Sequence, residues 1–125
     1  MDPPEEDEQE DERSSRGRRG EDAALRTYER RGYRVVARNW RCALGELDLV
    51  VQRGRVLVFC EVKSRTGAAF GGGYEAVTWS KRRKLRQLAE VFLQSYRPLD
   101  VRARFDVASV WLGPRADVEI FEDAF

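Results

Sequence analysis

Two adjacent runs of strand-forming residues constrain the fold of this 125-residue chain more than any other feature of its sequence. Residues 46–52 read ELDLVVQ and residues 55–63 read RVLVFCEVK, so side chains of different character alternate along both runs. Alternation with a period of two is typical of β-strands, whose successive side chains point to opposite faces of a sheet. Arg53 and Gly54 separate the runs, and a two-residue loop that contains glycine predicts a β-hairpin.

The hairpin predicts that three ionisable side chains share one face of the sheet. If the two intervening residues form the loop, Gln52 pairs with Arg55. Asp48 and Glu61 then become diagonal neighbours, with Cα atoms roughly 7–8 Å apart. Lys63 lies two positions beyond Glu61 and therefore points to the same face. The sequence thus predicts two carboxylates and a lysine at one end of the hairpin.

Two carboxylates that project together from a sheet are costly unless a cation neutralises them. A hard divalent cation such as Mg²⁺ or Mn²⁺ would do so, because it prefers oxygen ligands. It would also polarise a phosphodiester and lower the pKa of a bound water, while a neighbouring lysine positions that water. The alternative interpretation is an ordinary surface ion pair between Glu61 and Lys63.

The remaining segments predict an α/β domain with a central mixed β-sheet flanked by helices. Residues 20–32, GEDAALRTYERRG, begin with acids and end with arginines and a glycine, which is the pattern of a short helix. Apolar residues recur at helical spacing across residues 85–96, and Pro98 ends that second helix. Further strand patterns occur in residues 33–40, 102–112 and 117–121. The predicted order is α-β-β-β-α-β-β, with a crossover between the third and fourth strands.

The charge distribution predicts a tail and a folded domain. The first twelve residues hold eight acidic and no basic residues, whereas the rest of the chain holds 23 basic and 14 acidic residues. A segment with almost no apolar content repels itself, so we expect a disordered acidic tail over residues 1–15 and one domain over residues 16–125. So basic a domain suits a phosphate-rich partner, although a solvated arginine-rich surface would have the same charge.

Composition also excludes several classes of function. The chain has no histidine, which excludes every Ser/His or Cys/His nucleophilic triad. Cys42 and Cys60 form no spaced framework, so we expect both to be reduced and structural. No apolar run approaches the length of a membrane span, and no charged leader followed by an apolar stretch indicates secretion. We therefore expect a cytoplasmic protein with no membrane partner.

Five blocks of the sequence resemble, in order, the motifs of a known family. They are GELDLV, VFCEVKSR, FGGGYEAVTWSKRRKL, RFDVASV and the terminal DAF. Through them, residues 16–125 resemble the YraN-like family, whose members look like nucleases of the PD-(D/E)XK superfamily. The resemblance implies a restriction-endonuclease-like fold and a Mg²⁺- or Mn²⁺-dependent nuclease that acts on DNA. The competing interpretation is a non-catalytic module that keeps the nuclease fold to dock nucleic acid or protein.

The same resemblance implies roles for individual residues. Asp48 matches the aspartate of the motif, Glu61 and Lys63 match its (D/E)XK element, and Glu21 matches the glutamate of the first helix. Asp48, Glu61 and the main-chain carbonyl of Val62 would hold the metal, and Glu21 is a further candidate ligand. Lys63 would orient the attacking water. Cleavage of both strands of a duplex would favour a two-fold homodimer.

Four consecutive basic residues, Lys81, Arg82, Arg83 and Lys84, begin the second helix. The exposed N–H groups of a helix start already favour anions, so this placement is unfavourable unless phosphate is nearby. Lys81 continues the buried stripe of the helix, so we expect it to meet the carboxylate site or a backbone phosphate. We expect the other three to face nucleic acid in part and to be solvated in part. The tryptophans are expected mainly in the core, and Trp79, beside the basic run, is the exception that could stack on a base.

Three further features have ordinary explanations. Glu46 lies on the Asp48 face and is a weak candidate for a supporting role in the site. Asp106 is expected to cap or to pair with an arginine rather than to bind metal. Glycines 71–73 are expected to form a flexible surface loop.

Overall fold

A computed structural model describes the backbone of residues 5–66, 78–98 and 100–125, and within these ranges the side chains of residue 15 and of residues from 17 onward. The helices are α1 (Glu5–Arg30) and α2 (Trp79–Tyr96), and the strands are β1 (Arg34–Cys42), β2 (Gly45–Arg53), β3 (Val56–Thr66), β4 (Arg102–Leu112) and β5 (Asp117–Phe121). This order confirms the predicted α-β-β-β-α-β-β arrangement. Neither helix of the described ranges is long and apolar enough to cross a membrane.

The five strands form one mixed sheet in which spatial order follows chain order, β1-β2-β3-β4-β5. The pairs β1/β2, β2/β3 and β4/β5 are antiparallel, whereas β3 and β4 are parallel. A parallel pair needs a crossover connection, and α2 lies within the segment that joins these two strands. The predicted α/β class and its restriction-endonuclease-like topology are therefore confirmed.

Each face of the sheet packs against one helix. On one side, Tyr28 of α1 packs with Leu49, Val58 and other apolar residues of the strands. On the other side, Phe92 of α2 packs with Phe59 and its apolar neighbours. Because Val58 and Phe59 lie on opposite faces, the alternation along β3 directs Glu61 to the α2 side.

Helix α1 is longer than the sequence predicted. Its backbone is helical from Glu5, whereas the predicted start lay near residue 20, so residues 5–15 of the expected disordered tail belong to the helix. Glutamate, glutamine and arginine are good helix formers, and acidic residues near a helix start interact favourably with the macrodipole. These local preferences outweigh the low apolar content of the segment. The division between tail and domain at residue 15 stays a prediction.

A buried polar cluster joins α1, β4 and the C-terminal segment. Asp106 is fully buried and accepts hydrogen bonds from Arg104 Nε at 2.9 Å and Nη2 at 2.8 Å. It also accepts from the Tyr28 hydroxyl at 2.7 Å and from the Asp123 main-chain N–H at 3.0 Å. A buried carboxylate with this many donors is well compensated for its lost hydration. The predicted pairing of Asp106 with an arginine is confirmed.

Candidate functional site

The loop of the β2–β3 hairpin lies one residue later than predicted. Arg53 pairs with Val56, so Gly54 and Arg55 form the loop, and the predicted Arg53–Gly54 loop is wrong. Gly54 has a φ of 58°. A glycine with positive φ at the first loop position suits a type II′ hairpin turn, whose twist matches that of the flanking strands.

The corrected register sets Asp48 directly opposite Glu61. The ladder pairs Leu49 with Cys60, and its continuation by one residue places the two carboxylate-bearing positions side by side. The prediction had made them diagonal neighbours, so the true register differs from it by two residues. An even shift leaves every side chain on its expected face, which is why the two acids still meet.

Asp48 is half-buried and electrostatically crowded. Its Oδ2 accepts a hydrogen bond from the Val62 main-chain N–H at 3.0 Å. Burial raises the pKa of Asp48 to about 7, repulsion from Glu61 adds to the rise, and the Val62 N–H opposes it. Glu21 and Glu46 contribute smaller repulsions. A carboxylate under this strain is suited to hold a cation or to share a proton.

Glu61 has a cationic partner on α2. The Lys81 Nζ lies 2.6 Å from Glu61 Oε1, and the Glu61 side chain is 12% exposed. Thr78 fixes the start of α2, because its Oγ1 accepts a hydrogen bond from the Lys81 main-chain N–H at 3.2 Å. The structure thus places Lys81 at the carboxylates. Lys63 lies two positions beyond Glu61 on β3, where it is half-buried and pairs with Ser109 of β4.

A cavity of about 240 Å³ opens above the paired carboxylates. Its walls include three acids, two lysines and two leucines, namely Glu46, Asp48, Glu61, Lys81, Lys84, Leu85 and Leu88. Gly45 leaves room for the Lys84 side chain in this cavity. A Cβ added at Gly45 would lie 3.2 Å from Lys84 Cε, which is a tight contact. The arrangement combines negative charge at the floor with positive charge at the rim.

Glu21 lies beside this cavity rather than in it. Helix α1 approaches β3 closely at Gly20, where an added Cβ would collide with Ser64 Oγ. Burial raises the pKa of Glu21, and among the described residues its Oε1 has no hydrogen-bond partner. Arg38 Nη2 lies 4.0 Å from that oxygen. Glu21 lines a neighbouring cavity of about 390 Å³, and Glu46 borders both cavities.

The donor set suits a hard cation held by two carboxylates. Asp48 and Glu61 supply oxygen ligands, and Oε1 of the neighbouring Glu21 accepts no hydrogen bond from the described residues, with Arg38 Nη2 4.0 Å away. Among the residues whose side chains the structure describes, no three His, Cys, Asp or Glu side chains are grouped closely enough to hold one metal ion. Mg²⁺ commonly binds through one or two carboxylates together with water and substrate phosphate, so the residues fit that mode rather than an all-protein cage.

The remaining predicted contacts lie around the start of α2. Arg83 is exposed there, and the Arg82 guanidinium carbon lies 5.4 Å from the ring centroid of Trp79. The expected glycine loop, residues 71–73, falls outside the part of the chain that the structure describes.

Comparison with known proteins identifies the family. Residues 20–110 match the model of a family described as "Uncharacterised protein family UPF0102". The chain belongs to the UPF0102 family. This confirms the predicted membership of the YraN-like family.

Relatives in the UPF0102 family match nearly the whole chain. The UPF0102 protein of Pelotomaculum thermopropionicum is 45% identical over 118 residues, which cover 92% of this chain and 98% of the relative. Those of Moorella thermoacetica and Caldicellulosiruptor saccharolyticus are 42% and 37% identical, and they cover 90% and 87% of this chain and 97% and 95% of the relatives. These names state a family and no activity, so the function has to be inferred from the site itself.

Two glycines at this UPF0102 site were not predicted from the sequence to have a role. Gly45 makes room for Lys84, and Gly20 lets α1 reach Ser64 of β3. One signal was available for Gly20, because a glycine inside a helix costs about 1 kcal/mol relative to alanine and usually has a packing reason. Gly45 carried no such signal, since a glycine before a strand also fits an ordinary turn.

Proposed function

We propose that this protein is a metal-dependent endonuclease that binds DNA and hydrolyses phosphodiester bonds with Mg²⁺ or Mn²⁺. The observation that carries the proposal is the pairing of Asp48 with Glu61 beneath Lys81 and Lys84 in one cavity. Crowded carboxylates attract a hard cation, and lysines at the rim attract phosphate. The cavity therefore offers complementary groups to a metal ion and to a nucleic-acid backbone at the same point.

Each residue of the site has a role in this reaction. Asp48, Glu61 and the carbonyl of Val62 would hold the metal, whereas Glu21, the further ligand expected from the sequence, lines the neighbouring cavity. The bound metal would polarise the phosphodiester and lower the pKa of a water bound to it. The Val62 N–H keeps Asp48 Oδ2 in place through its 3.0 Å hydrogen bond. Lys63 orients the attacking water and offsets the charge that develops on the phosphate.

Lys81 takes part in two successive interactions. Before metal binds, its ammonium neutralises Glu61 at 2.6 Å. With a divalent cation held by Asp48 and Glu61, the Lys81 ammonium would be available to contact the scissile phosphate. Lys84, held over Gly45, and the arginines at positions 82 and 83 extend the positive rim along the backbone of the substrate.

Two measurements test the proposal. Purified protein should cleave at least one of duplex, branched or single-stranded DNA in the presence of Mg²⁺ or Mn²⁺. Asp48→Asn and Lys63→Ala should abolish cleavage, while Glu90→Gln, an exposed carboxylate on α2, should not affect it. Calorimetric titration with Mn²⁺ should show binding to wild type that Asp48→Asn loses. If no DNA form is cut with either metal, the enzymatic proposal fails.

A second function, a non-catalytic module that docks nucleic acid, is favoured by one observation. Lys81 already neutralises Glu61, and the described residues contain no three-ligand metal group. Such a module would bind DNA equally well in EDTA and after Asp48→Asn, and its affinity would fall chiefly when residues 81–84 are neutralised. Each lost phosphate contact should lower the salt dependence of duplex binding by about 0.9 in log–log slope.

A further inference from the structure

Trp79 presents a large aromatic surface to solvent. Its relative exposure is 80%, against 41% for Val35 and 46% for Leu44, the other exposed large hydrophobic residues of the described chain. Trp40, by contrast, packs edge-on against Phe92 with ring centroids 5.3 Å apart. Indole rings usually bury much of their area, so an exposed one at a well-defined position indicates a surface that binds something.

The ring of Trp79 lies at the start of α2, the helix that also carries Lys81 and Lys84 of the carboxylate cavity. It is the first residue of α2, directly after Thr78, whose side chain caps the helix. The Arg82 guanidinium carbon lies 5.4 Å from the ring centroid, which orients a cation against the indole. Lys81, two residues further along, contacts Glu61. Residues two positions apart on a helix do not face each other, so the indole and the Lys81 ammonium lie on different sides of the start of α2.

The charges around Trp79 favour one kind of ligand. Arg82 contacts the ring and Arg83 is exposed on the same helical turn, so the favoured partner combines a flat apolar face with negative charge. A nucleotide has both, because its base offers a π-face and its phosphate an anion. Within an intact duplex each base is covered above and below by its neighbours. A protruding indole can therefore reach a base face only where a base is unpaired or the strand is single.

We propose that Trp79 stacks on an unpaired base of a strand bound at the start of α2, so that the substrates are nucleic acids with a single-stranded segment. This inference rests on the proposed function and specifies its substrate class. Arg82, whose guanidinium carbon lies 5.4 Å from the ring centroid, would contact the phosphate attached to the stacked base. Recognition by stacking is tolerant of sequence, because every base has a π-face.

Binding in EDTA tests the inference without relying on cleavage. Labelled oligodeoxythymidine, a blunt duplex of equal length and oligouridine serve as probes, with affinity measured by fluorescence anisotropy. Trp79→Ala should weaken binding of the single strand about 5-fold to 150-fold, as expected for the loss of one stacked base. It should change duplex binding less than 2-fold, and Trp79→Phe should retain most of the affinity. Val35→Ala, which removes another exposed apolar side chain, is the matched control.

Tryptophan emission gives a second readout. Single-stranded DNA should quench the emission of wild type, and that quenching should be lost in Trp79→Phe, which keeps Trp40 and Trp111. Equal losses of single-strand and duplex affinity in Trp79→Ala, or no quenching, would overturn the inference and make the ring a contact for a protein partner. Oligouridine tests whether the base can come from RNA as well as from DNA. Equal binding of oligouridine and oligodeoxythymidine means that the site contacts the base and not the sugar.

The two proposals fail separately. Single-strand binding that depends on Trp79, in a protein that cuts no DNA with Mg²⁺ or Mn²⁺, would uphold the stacking site and reject catalysis. Cleavage with an unchanged preference between single strand and duplex in Trp79→Ala would uphold catalysis and reject the stacking site.

Discussion

Replacing Asp48 by asparagine should stabilise the metal-free protein at neutral pH. Burial and Glu61 raise the pKa of Asp48 from 3.8 to about 7. Between about pH 4 and pH 7 the folded state therefore holds a proton that the unfolded state has released, so the free energy of unfolding falls as pH rises through this window. The free-energy cost of an ionised Asp48 in the folded state is absent below about pH 4 and fully present above about pH 7. At about 1.4 kcal/mol per pH unit it reaches at most about 4 kcal/mol, and sharing with Glu61 reduces the expected value to about 2–4 kcal/mol.

Urea unfolding followed by circular dichroism in EDTA measures this effect. The stability advantage of Asp48→Asn over wild type should shrink from about 2–4 kcal/mol at pH 8 to near zero at pH 4, because the amide keeps an acceptor for the Val62 N–H and carries no charge. Glu90→Gln, which neutralises an exposed carboxylate of α2, is the control for net charge. A difference that stays constant with pH, or a wild type that is the more stable at pH 8, would refute the reasoning.

Three further substitutions test the packing around the site by urea unfolding at pH 7. Gly20→Ala should destabilise the fold by about 1–3 kcal/mol, because its Cβ collides with Ser64, and Ser64→Gly should restore part of the loss. Tyr28→Phe should cost about 1–3 kcal/mol, since Asp106 stays buried but loses its 2.7 Å hydrogen bond, and a cost near zero would mean that the cluster compensates. Gly45→Ala, at a φ of 145°, should cost at least about 1 kcal/mol, and an unchanged midpoint would contradict the backbone argument.

The sequence by itself determined the secondary structure of the sheet and the face on which the acids lie. Alternation with a period of two is a local property of β2 and β3, so it survives an error in register as long as that error is even. This is why Asp48 and Glu61 could be placed as neighbours on one face from sequence, although the loop was predicted one residue too early. The strand-helix-strand order likewise required β3 and β4 to be parallel.

The tertiary structure decided the contacts that join distant parts of the chain. Two contacts depend on how the helices dock on the sheet. One is the ion pair of Lys81 with Glu61, and the other is the hydrogen bond between Tyr28 and Asp106, two residues that are 78 positions apart in the chain. The close approach of α1 to Ser64 at Gly20 also depends on this docking. Local patterns specify which face of a helix is buried, but packing of complete side chains sets its position along the sheet. The electrostatics of the carboxylate site follow from that position, because burial and charge separation exist only in the folded protein.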